Sequence, residues 1–120
     1  MTSWDYFIGF EREPTDLDEF LDKKGYDKTS ENPQTHDKDY EPRRGGLVDI
    51  MFFSKPTPVK EGEVPDWKKS GVQVTSDMMI TTKDAKLVTK VESLVTAIVK
   101  KYDAVFYDLN LDEFFRKNQI

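Results

Sequence analysis

Residues 84–109 run DAKLVTKVESLVTAIVKKYDAVFYDL. Leu87, Val88, Val91, Leu94, Val95, Ile98 and Val99 follow one another at spacings of one and three, which puts them on a single helix face. Their β-branched content lowers intrinsic helix propensity, so the stretch needs a sheet to pack against. Lys100 and Lys101 close the helix at the negative end of its dipole. The spacing predicts a long helix over 84–101 running into a strand over 104–109.

Working outward, residues 72–82 alternate at Val72, Val74, Ser76, Met78 and Ile80, which predicts a strand. Residues 47–53, LVDIMFF, are apolar at nearly every position and read as a central strand. The period of two returns in Trp4, Tyr6, Ile8 and Phe10, with Phe7 making the second face of that strand partly apolar. Thr15 or Asp16 caps a short helix over 16–24, with Leu17, Phe20 and Leu21 on its buried side and Gly25 as its stop. Asn110 and Glu113 form a capping-box pair ahead of Leu111, Phe114 and Phe115, which predicts a terminal helix.

The order is β-α-β-β-α-β-α. It predicts an α+β domain of ferredoxin-like type: a split βαββαβ two-layer sandwich with four antiparallel strands, two helices on one face and an extra C-terminal helix. The 120 residues form a single domain over 1–120. Two segments stand outside that frame as long polar loops. Residues 27–46 hold one aromatic, Tyr40, and no aliphatic residue. Residues 54–71 hold Pro56, Pro58 and Pro65 with Trp67 as the apolar anchor.

Composition removes several function classes. The chain has no Cys, so disulfides, thiolate metal sites and cysteine nucleophiles are absent. With 18 Lys and Arg against 23 Asp and Glu the net charge is −5, which opposes tight nucleic-acid binding. No run reaches the roughly 18 apolar residues of a membrane span. Asp5, Glu11 and Glu13 fall where a secretion signal needs basic and then apolar residues, so the expected location is the cytoplasm.

The candidate motifs are weak. Tyr6-Phe7-Ile8-Gly9-Phe10 looks like the first strand of an RNA-recognition domain, but 72–82 lacks the aromatic and basic residues of the partner strand. Asp108, Asn110 and Asp112 match the opening of a calcium loop, which then fails at Glu113, where the turn needs Gly. His36 beside Asp37 and Asp39 is the one imidazole, in the most polar loop, and reads as solvated. No cofactor motif is present. Arg43 and Arg44 either clamp an anion or neutralise Asp39 and Glu41. Trp67 either anchors an interface or pins its own loop.

Met78-Met79-Ile80-Thr81-Thr82, the long helix, residues 102–108 with their Tyr107-Asp108 pair, and Glu113-Phe114-Phe115 resemble the ending of small ferredoxin-like immunity proteins from bacterial toxin systems. Trp4-Asp-Tyr-Phe-Ile and Leu17-Asp-Glu-Phe-Leu are similar to their opening. The resemblance implies an inhibitor of a toxin, and acidity suits a basic nuclease target.

The expected function is a small cytosolic protein-binding module, not an enzyme, possessing no cofactor and touching neither nucleic acid nor membrane. Its partner-binding residues are Arg43, Arg44, Trp67 and Tyr40, on the two long loops where binding residues concentrate. Three alternatives stand beside it. One is small-ligand binding on an open sheet face lined by Phe7 and Asp49. Another is an acid-base enzyme using Asp and Glu with Arg43 or Arg44. The third is a homodimer formed through that face.

Overall fold

The computed structural model describes residues 2–56, 65–109 and 111–120. Seven strands form one antiparallel sheet: β1 Trp4–Phe10, β2 Tyr26–Glu31, β3 Lys38–Pro42, β4 Val48–Phe53, β5 Ser76–Thr82, β6 Val105–Asp108 and β7 Glu113–Phe115. They lie in the order β2-β3-β4-β5-β1-β6-β7. Helices α1, Leu17–Lys23, and α2, Val88–Tyr102, follow β1 and β5. The architecture is mixed α+β, with seven strands where four are expected from sequence.

Both helices cover one face. Tyr6, Ile8 and Phe10 of β1, Ile50 and Phe52 of β4 and Met78 and Ile80 of β5 meet Leu17 and Leu21 of α1 and Val91, Leu94, Val95, Ile98 and Val99 of α2 in one cluster. The long helix begins a turn later than 84: Asp84 accepts a hydrogen bond from Lys86 N and caps a 3-10 turn over Ala85–Leu87. Asp103, with φ of 50°, ends it in the left-handed region, its backbone N–H donating to Val99 O. At α1, Asp16 is the cap residue but its side chain makes no cap bond. Its carboxylate is taken instead by Tyr102 Oη, at 2.8 Å, and Lys101 Nζ, at 3.3 Å, which fastens the two helices together.

Two expectations are corrected. Residues 27–46 are not simply a loop; they contain most of a hairpin, β2 and β3, joined by a turn in which Asn32 Oδ1 accepts from Gln34 N and Thr35 N. The hairpin hides in sequence because each strand offers the core one side chain, Tyr26 and Tyr40, and turns its remaining polar residues to solvent or α1. Among the described residues, the expected terminal helix is replaced by the strand β7. Phe114 and Phe115 point to opposite faces of the sheet, Phe115 stacking on Phe106 at 6.1 Å and Phe114 meeting Tyr107 at a tilt, 5.0 Å away, so burial imposes the period of a strand. A 3-10 turn at Lys117–Gln119 follows. Of the capping-box pair, Asn110 lies outside the described residues, as do 57–64 of the second loop.

Leu94 is a direct test of the helix-to-sheet layer. Leu94→Ala is expected to lower stability by about 2–5 kcal/mol in a denaturant melt; an unchanged melt would mean that α2 does not pack as described.

Candidate functional site

The alternation of β1 that feeds the core sends Asp5, Phe7 and Gly9 to the other face, away from α1 and α2. Register aligns them with neighbours in rows. Asp5 faces Thr81 of β5, which faces Asp49 of β4. Phe7 faces Met79 on one side and Tyr107 on the other, and the row continues through Met51 to Asp39 of β3 and through Tyr107 to Phe114 of β7. Gly9 faces Asp77 and Val105, and Asp77 faces Phe53. The outward residues of β1, β3, β4 and β5 are therefore Asp5, Phe7, Gly9, Asp39, Glu41, Asp49, Met51, Phe53, Asp77, Met79 and Thr81, without one Lys or Arg.

This face has two halves. Over β1 and β6 it is covered by Trp67, which starts a 3-10 turn capped by Asp66. Trp67 is 7% exposed and packs with Val105, Tyr107, Phe7, Val72, Val74 and Phe114 in a second, smaller cluster. The indole fits because position 9 has no side chain: a Cβ there would lie 2.8 Å from Val74 Cγ2 and 3.1 Å from the Trp67 ring. Trp67 Nε1 donates to Asp77 Oδ2 at 3.0 Å. Burial pushes the Asp77 carboxyl up to about 6, the indole bond pulling it back and Asp37 adding to the rise.

Over β4, β5 and β3 the face is uncovered. Met51, Phe53 and Met79 are half-buried there, with Phe7 at the boundary beside Trp67, and Asp39, Glu41 and Asp49 are exposed. A shallow groove of about 260 Å³ runs among Thr29, Asp39, Glu41, Asp49, Met51 and Thr81. Thr81 Oγ1 donates to Asp5, and Ser30 Oγ donates to Asp39 at 2.6 Å, so two of the carboxylates are oriented. Neither Arg43 nor Arg44 lines the groove. Among the described residues, no group of three His, Asp or Glu side chains is placed to hold a metal ion.

The four partner-binding candidates are not brought together. Tyr40 is 1% exposed, on the helix side of β3, with its hydroxyl donating to Asp18. Lys28 and Lys38 join that carboxylate at 3.0 and 3.6 Å, clasping the hairpin to α1. Burial and the Asp18 charge raise the Tyr40 phenol far above its ordinary value, so it stays neutral. Arg43 pairs with Asp22 and, at 2.8 Å, with Asp27; Arg44 is exposed beside it. Trp67 pins its loop. His36 sits at the hairpin turn with φ of 64°, and its Nδ1 lies 3.6 Å from Glu31.

Of the open-face residues, sequence reading singles out Phe7 and Asp49 and misses Asp5, Asp39, Glu41, Met51, Asp77 and Met79. Their signal is the polar phase of each strand pattern. Comparison with known proteins brings no match, whether to family models, to curated proteins or to solved structures. No helix among the described residues is long and apolar enough to cross a membrane.

Gly9→Ala tests the seat of the indole. The added methyl is expected to displace Trp67, shifting its indole N–H resonance while that of Trp4 holds, and to cost about 1–3 kcal/mol. Unchanged Trp67 resonance and stability would show that the ring does not rest on position 9.

Proposed function

We propose that this chain is a small protein-binding module without catalysis, which docks a basic partner protein on the uncovered part of its sheet. The carrying observation is the charge of that face: Asp5, Asp39, Glu41 and Asp49 with no cation among the outward residues of four neighbouring strands. Carboxylates around an apolar centre steer a cationic surface and then hold it, and Met51 and Met79 supply flexible side chains that adapt to what arrives. We read β4-β5-β1-β6 with the two helices as a ferredoxin-like split βαββαβ core to which the hairpin and β7 are added. The resemblance to immunity proteins supports the same use, inhibition of a basic toxin by occupancy of its surface.

The charge pattern also weighs between the alternatives. A twofold dimer through this face would set carboxylates against their own copies, which repel. The groove at Asp49 gathers carboxylates with no arginine beside them, so it lacks the anion clamp of the acid-base alternative.

The test is retention of a partner from native-host extract by wild type, by Asp5→Lys/Asp49→Lys, and by Lys86→Glu/Lys90→Glu on the helix side. All three are checked for folding by circular dichroism. The expected outcome is that the sheet-face variant binds at least about tenfold more weakly, while the helix-side variant retains the partner and salt weakens the wild-type complex. Equal retention by the sheet-face variant would overturn the proposal.

A further inference from the structure

We propose that Asp77 and Trp67 form a proton-operated latch on this face: a neutral Asp77 keeps the indole seated over Gly9, and an ionised Asp77 favours its release. The inference concerns regulation of the proposed binding face and rests on that reading for its purpose, although the latch itself is a property of the free protein. Geometry carries it. Asp77 Oδ2 has one donor, the indole N–H, and Oδ1 is buried with no hydrogen-bond partner among the described residues. A carboxylate held this way is poorly solvated, and lifting the indole returns it to water.

Among the described residues, no cation compensates the Asp77 charge. Asp77 faces Phe53 from β4, Gly9 from β1 and Trp67 from the covering turn. Among the described residues, the charged group acting on it is Asp37, whose Oδ1 accepts from Ser54 N and whose charge opposes ionisation. The sign follows from linkage. The seated form has its carboxyl raised to about 6, whereas a released form has an ordinary aspartate. The seated form is therefore favoured fully at pH below the ordinary aspartate range, and loses ground as pH rises until it passes 6. Between pH 5 and pH 8 the equilibrium moves about tenfold toward release.

Release has a consequence for binding. With Trp67 lifted, Val105 and Tyr107 lose the indole packed on them, so the apolar band of Phe7, Met79 and Met51 extends toward β6. Acid closes that extension, and neutral to alkaline pH makes it available.

The experiment is hydrogen exchange of the Trp67 indole N–H by NMR in the free protein, corrected for the intrinsic rate, with Trp4 as internal reference. Protection is expected to fall about tenfold from pH 5 to pH 8 in wild type. Asp77→Asn keeps an oxygen acceptor for the indole and removes the titration, so its protection is expected to stay high and pH-independent. The Asp77 carboxyl carbon should titrate with a midpoint near 6. Equal wild-type protection at both pH values, wild-type pH dependence surviving in Asp77→Asn, or a carboxyl midpoint at an ordinary aspartate value would each overturn the latch. If Asp77→Asn does not fold, the two wild-type measurements decide. Because the readout involves no partner, the latch and the binding face can fail independently.

Discussion

The register of β1 is the constraint on which the rest depends. This strand is paired antiparallel on both sides, to β5 and to β6, and its alternation divides Tyr6, Ile8 and Phe10 from Asp5, Phe7 and Gly9. A slip of one residue would put Asp5 and Gly9 under the helices and expose Ile8 and Phe10. That exchange would lose the core and the face together, since each full burial of an aliphatic or aromatic side chain is worth about 1.5–3 kcal/mol. The hydrophobic requirement of one layer thus fixes the positions of the carboxylates on the other.

The two faces are asymmetric for a physical reason. On the inner side the apolar residues of β1, β4 and β5 meet those of α1 and α2. On the outer side the described residues supply a small apolar lid centred on Trp67, and it fits where Gly9 leaves room. Beyond its reach the strands turn polar, as an antiparallel sheet with one wet face does. What exceeds that ordinary pattern is the sign of the charge and the retention of Phe7, Met51, Phe53 and Met79 in the middle of it. Surface charge on a small domain is ordinarily of mixed sign, and large apolar side chains on it are ordinarily scattered.

Much of the fold was legible in the sequence, where a periodic pattern runs long enough to exclude alternatives. Helix 84–101 and the strands at 4–10, 47–53, 72–82 and 104–109 belong to this class, with ends that shift by a few residues. The hairpin was not legible because Tyr26 and Tyr40 are too sparse to show a period, and its hold on the core runs through Asp18, a contact between distant segments. β7 was misread because Leu111, Phe114 and Phe115 fit helical spacing equally well until Phe106 and Tyr107 claim one ring each. Sequence leaves Trp67 as anchor or pin, and its burial in the outer cluster favours the pin. The acidic face was the least legible part, since Asp5, Asp49 and Glu41 become neighbours only through strand register.

The central claim is that the uncovered sheet face, and not the helix face, receives the partner. Methionine methyl NMR addresses it with a control built into the chain. Met51 and Met79 lie in the apolar centre of that face, whereas Met78 is 1% exposed in the core beneath the helices. The account predicts that adding the partner retained from host extract shifts and broadens the Met51 and Met79 methyl signals, leaves Met78 in place, and does so less as salt is raised. A partner that leaves Met51 and Met79 unmoved while perturbing residues along α2 would contradict it.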